Sequence, residues 1–180
     1  MDSARAMPAP ATFTGPRWAS VIVTTLDRAP LLAAPRLARI ACAALDVCTP
    51  EAPGRLWGYV VLPDALRLVV GPAEGDALSV FVERVKARAA GDLLAAIRRG
   101  EDADALDAVL RFNPVWGGAI YRLWAAGFHC APLWTEYRLS GALYALRQAP
   151  VSAGLVARAE DWPYQSRPPD PAARLSITNY

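Results

Sequence analysis

The sequence predicts an α+β fold. It is a ferredoxin-like split βαβ arrangement, a four-stranded antiparallel sheet with helices on one face, plus a C-terminal helix. Three observations point there. Short apolar runs bounded by Pro and Gly read as strands at residues 18–25, 55–62, 66–70 and 128–134. Longer stretches between and after them repeat apolar residues at helical spacing. Pro63-Asp64 lies between the second and third runs, so those two form a hairpin rather than a crossover.

The elements follow in order. Residues 18–25 (WASVIVTT) are β-branched and short, a buried-strand signal. From Pro35 to Asp46, apolar residues at 37, 40, 41, 44 and 45 form one face of a helix, with Pro35 acceptable in its first turn. Residues 49–54 break the chain with Pro and Gly. The hairpin strands are Arg55–Leu62 and Leu66–Val70, closed by Gly71-Pro72. Leu78 to Ile97 carries an apolar stripe at Leu78, Phe81, Val82, Val85 and Ala89, with Arg84, Lys86 and Arg88 on its other sides.

Residues 98–107 read as a polar connector. Residues 108–127 are interrupted by Asn113-Pro114 and Gly117-Gly118, and no element is assigned there. Phe128–Trp134 is the last strand, and its Pro132 fits best at a sheet edge. Thr135 suits an N-cap for a helix over Glu136–Gln148, with Pro150 just beyond its end. Residues 1–16 read as a flexible arm, 17–167 as one domain and 168–180 as a loose tail.

Composition narrows the class. With 54% hydrophobic residues the chain is globular, and its net charge of +2 does not by itself argue for nucleic acid. Lys86 is the only lysine; the other basic residues are arginines, a bias that fits genomic base composition and leaves side chains suited to phosphate. Three cysteines without a CxxC pair favour neither a disulfide framework nor a zinc site, which fits a reducing cytoplasm. No signal-peptide pattern and no membrane-spanning apolar run is expected.

Four separated blocks carry a resemblance. They are Val60-Val61-Leu62-Pro63-Asp64 with Leu68-Val69-Val70; Leu78-Ser79 through Val85-Lys86; Trp124-Ala125-Ala126-Gly127-Phe128-His129; and Pro150-Val151-Ser152-Ala153-Gly154-Leu155-Val156 with Glu160-Asp161-Trp162-Pro163-Tyr164. In order and spacing, over residues 17–167, they resemble the REP-associated tyrosine transposases, single-tyrosine members of the HUH superfamily of DNA-nicking enzymes. The resemblance implies DNA transposition chemistry. Two histidines on one strand face bind Mg or Mn, a helix tyrosine attacks the phosphodiester, and a polar residue one turn on completes the metal site.

Carried onto this chain, the histidine positions are Ala65 and Arg67, the tyrosine position is Ala145 and the polar position is Ala149. An alanine has no donor for a metal and a guanidinium repels one, so no metal cofactor and no catalytic residue is expected. Tyr144 is the fallback nucleophile, but one helical step turns it about 100° from the expected position. Asp64 alone would be a poor ligand. His129, the sole histidine, matches a family histidine and is expected to be structural.

The nucleic-acid contacts expected are Lys86, Arg67, Arg84 and Arg88. For Arg67 a solvated or ion-paired strand residue is an equal reading, and for the two helix arginines an ordinary charged face is slightly favoured. Trp162 and Tyr164 are expected to pack on the core rather than stack on a base. The functional expectation is a catalytically inactive, domesticated transposase-like protein that binds single-stranded or hairpin DNA in the cytoplasm, away from membranes, with a homodimer implied by the resemblance. The alternatives are a protein-interaction module without DNA binding and an active nicking enzyme using Tyr144.

Overall fold

The computed structural model describes residues 18–52, 55–71, 76–101, 110–113 and 118–166. The arm at 1–16, the tail at 168–180 and most of the 98–107 connector lie outside them. Among the described residues, six strands and three long helices are formed: β1 (Trp18–Thr24), α1 (Pro35–Cys48), β2 (Arg55–Leu62), β3 (Ala65–Gly71), α2 (Ala77–Ala96), β4 (Leu110–Asn113), β5 (Gly118–Tyr121), β6 (His129–Leu133) and α3 (Glu136–Ser152). The main sheet runs β2-β3-β1-β6, every pairing antiparallel. That is the split βαβ order expected. β4 and β5 form a separate two-stranded ribbon within the stretch left unassigned from sequence.

The sheet divides two apolar layers. On one face, Val21, Val23, Leu66, Leu68 and Val70 pack with Leu37, Ala41 and Leu45 of α1 and with Phe81, Val85 and Leu93 of α2. On the other, Trp18, Val60, Leu62, Val69 and Leu133 pack with Leu139, Leu146 and Ala149 of α3. The assignment follows from strand alternation, which sends residues 66, 68 and 70 one way and 65, 67 and 69 the other.

α3 comes close to β2 because Gly58 has no side chain. A Cβ there would stand 3.1 Å from Leu146 Cδ2 and 3.3 Å from Ser166 Oγ. Thr135 caps α3, its hydroxyl accepting from the Arg138 backbone N–H at 3.2 Å. The helix runs to Ser152, past the end expected before Pro150. Pro150 sits in the last turn and is buried, and the Ala153 N–H donates to the Ala149 carbonyl, so the turn closes around the ring.

The chain after α3 returns to the outer side of β2. Val61 N–H donates to Tyr164 O, Ser166 N–H to Tyr59 O, and the Trp162 indole to Val61 O. Trp162 and Tyr164 meet edge to face at 5.2 Å, so both pack on the domain as expected. At the other side of the sheet, β6 is the edge strand and carries Pro132, as its missing N–H requires. Trp18 and Trp124 are buried, whereas Trp134 is 54% exposed. Trp116 lies outside the described residues.

Candidate nucleic-acid interface

β3 is a central strand, and register puts its residues beside known neighbours. Ala65 stands between Leu62 of β2 and Thr24 of β1. Arg67 stands between Val60 and Ile22, and Ile22 in turn faces His129 of β6. Directly opposed residues point the same way, so Val60, Arg67, Ile22 and His129 form one row on the α3 side of the sheet. Arg67 and His129 are two strand spacings apart, about 10 Å between Cα atoms.

α3 covers the β2–β3 half of this face. Ala65 and Ala149 are buried there, while Ser20, Ile22 and Thr24 remain half-exposed and His129 exposed. Arg67 is half-buried, and its Nε is fully shielded from solvent with no hydrogen-bond partner. An unpaired buried donor of this kind carries a desolvation cost of about 1–3 kcal/mol.

The hairpin turn beside Ala65 is held tightly. Asp64 O accepts from Thr25 N–H at 2.9 Å and from its hydroxyl at 3.1 Å, and Pro63 O accepts from Leu32 N–H. Arg28 pairs with the Asp64 carboxylate at 2.9 Å. Asp27 and Arg28 both adopt φ of 55°, the left-handed region that non-glycine residues occupy only under constraint. No composition signal in the sequence marks that pair.

The other sequence-derived positions are dispersed. Ala145 is exposed, and Tyr144 is 69% exposed on the side of α3 opposite its buried stripe. The fallback nucleophile therefore points away from Ala65 and Arg67. Lys86, Arg84 and Arg88 lie on α2, across the sheet from α3. Lys86 is 8% exposed, and its ammonium donates to Glu83 at 2.8 Å and to Gly127 O at 3.2 Å. Arg88 bonds Asp92 at 2.7 Å, which raises the guanidinium pKa further, and Arg84 also has a partner. The structure thus brings Ala65, Arg67 and Ala149 to one face and sets the α2 cations on another.

The donor set does not fit the divalent metal that the resemblance implies. Ala65 offers no ligand, Arg67 carries a positive charge, and no three His, Cys, Asp or Glu side chains come together among the described residues. One residue was missed in the sequence. Tyr137 is 84% exposed on the same outer side of α3 as Tyr144, and a helical projection from Leu139 and Leu146 would have placed both opposite the apolar stripe.

No protein-family model matches the chain, and no curated protein matches it. Among solved structures it is similar to a REP-associated tyrosine transposase bound to a REP hairpin. The TM-score is 0.59 at 15% identity, over 100% of this chain and 88% of the other. A transposase candidate from Deinococcus radiodurans R1 aligns at 19% identity and a TM-score of 0.43, over 79% of this chain and 98% of that one. No helix of the described residues is long and apolar enough to cross a membrane. By its order of strands and its three-layer build, the chain has the fold of a REP-associated tyrosine transposase.

Proposed function

We propose that this protein binds single-stranded or hairpin DNA on the α3 side of its sheet and does not nick it. The observation that carries the reading is Arg67. Its buried Nε lacks a partner at a position where the resembled family holds a metal against the scissile phosphate. When the cover over Nε opens, a phosphodiester oxygen would satisfy that donor, and a guanidinium can hold phosphate without a metal. The similar transposase fold was seen with a REP hairpin bound, which supports hairpin DNA as the ligand class.

Binding is assigned to Arg67 ahead of Lys86, Arg84 and Arg88. Those three stand in the other layer, with Lys86 and Arg88 already held by acidic neighbours. Ala65, Ala145 and Ala149 supply neither metal ligand nor nucleophile, so the protein acts as a regulator or structural DNA-binding factor in the cytoplasm, alone or as a homodimer.

The test is fluorescence anisotropy with labelled hairpin oligonucleotides across a salt series. Binding should weaken linearly in log salt as counterions are released, persist in EDTA, and fall at least tenfold in Arg67→Ala. Incubation with Mg²⁺ or Mn²⁺ should give no covalent adduct. Failure to bind any hairpin at 50 mM salt would overturn the reading in favour of a protein-interaction module. An adduct lost in Tyr144→Phe would establish the nicking enzyme instead.

A further inference from the structure

We infer that the outer side of α3 is a stacking platform for unpaired bases. The inference rests on the DNA-binding reading above and adds a second subsite to it. Tyr137 and Tyr144 are 84% and 69% exposed, and seven residues of helix put them on one line about 10 Å apart. That line is opposite Leu139 and Leu146, the residues that seat α3 on the sheet. The rings therefore contribute nothing to the core.

Between the two rings lies Gly141. A Cβ built there meets nothing within 4 Å, so the helix surface between the tyrosines is open. A flat ring can lie against the backbone at this point. Arg138 and Arg147, both exposed, flank the line on its two sides. The helix carries one acid, Glu136, in its first turn next to the N-cap. Aromatic rings interleaved with cations are the pattern that holds single strands with little sequence preference, since each base offers a face to stack.

A second copy of the chain fits this surface poorly. Two tyrosines cover roughly 300–500 Å², well below the ~800 Å² per partner of a stable protein interface. On that face the residues between them are Ser140 and Gly141 rather than aliphatic knobs.

The experiment compares three labelled DNAs: a blunt hairpin, the same hairpin with an eight-nucleotide single-stranded tail, and an unstructured oligothymidine. The tail should tighten hairpin binding, and oligothymidine should bind measurably by itself. Tyr137→Ala and Tyr144→Ala should each weaken the tailed hairpin and oligothymidine about fivefold or more, the lower end of base–aromatic stacking. Both should leave the blunt hairpin unchanged, and Tyr137→Phe and Tyr144→Phe should retain binding. If the blunt hairpin binds but the tail adds nothing, or the alanine variants bind the tail normally, the platform is refuted while the Arg67 reading stands. If neither hairpin nor oligothymidine binds, both fail. Sedimentation showing a dimer that the double alanine variant dissociates, with DNA affinity intact, would reassign the surface to contact between copies.

Discussion

Truncating Lys86 separates a structural cation from a DNA-contacting one. Its side chain is 10% exposed, with Nζ at 2.8 Å from Glu83 and 3.2 Å from Gly127 O, and its own carbonyl accepts from the Trp124 indole at 2.9 Å. Lys86→Ala removes three methylenes, at about 0.8 kcal/mol each when buried, and the bond to Gly127 O, worth about 1 kcal/mol. The Glu83 carboxylate is 58% exposed, so the ion pair adds little. The expected cost is about 3 kcal/mol, a fall in Tm of roughly 6–12 °C for a domain of this size. Lys86→Met keeps the apolar stem and should cost about 1 kcal/mol, partly offset because no ammonium is then desolvated. Urea unfolding followed by tryptophan fluorescence reads both, with the m-value as a check on two-state behaviour. Adding Glu83→Gln to Lys86→Met should change little further. The reasoning fails if Lys86→Ala costs under about 0.5 kcal/mol while hairpin affinity drops tenfold, because the ammonium would then face DNA rather than the Gly127 turn.

Other perturbations follow from the same contacts. Gly58→Ala forces a Cβ against Leu146 and Ser166 and should destabilise by about 1–3 kcal/mol, most visibly as earlier loss of protection in α3 by hydrogen exchange. Thr135→Ala removes the α3 cap and should cost about 1 kcal/mol in urea unfolding, with Thr135→Ser restoring most of it. Burial, with Asp46 nearby, lifts the Cys42 thiol from its ordinary 9.0 to about 11. Because the folded pKa is the higher, the unfolded chain deprotonates first, and stability present below pH 9 should be lost as pH rises towards 11. Burial raises Tyr59 in the same direction, its hydroxyl donating to Asp46 at 2.8 Å. Cys42→Ala should flatten the first part of that loss, and an unchanged slope would show the thiol is not its source.

The strands and helices were legible where periodicity is strong. Residues 55–62 appear with the bounds read from the sequence, β3 and α2 differ by one residue at each end, and the turn at Pro63-Asp64 tightens to two residues because Ala65 joins the strand. What escaped were features set by tertiary contact. Pro150 ends a helix on local grounds, yet burial against the α3 layer carries the turn to Ser152. The β4–β5 ribbon was hidden by Pro and Gly pairs that read only as breaks. Within the candidate site, strand alternation was enough to pair Ala65 with Arg67 on one face. It could not show that Lys86 turns inward, because an amphipathic helix does not reveal which of its cations finds a carbonyl on a distant turn.

The partition made by the sheet has a consequence for how the molecule opens. The larger apolar layer, under α1 and α2, holds both hairpin strands and β1 from one side. Among the described residues the smaller one rests on eight buried side chains, three of them from α3. Lifting α3 would break the second set and leave the first in place, so α3 is expected to open locally before the rest of the domain. Arg67 lies on the half of the sheet that this helix covers. Access to it is governed by a local equilibrium that can shift without unfolding the domain.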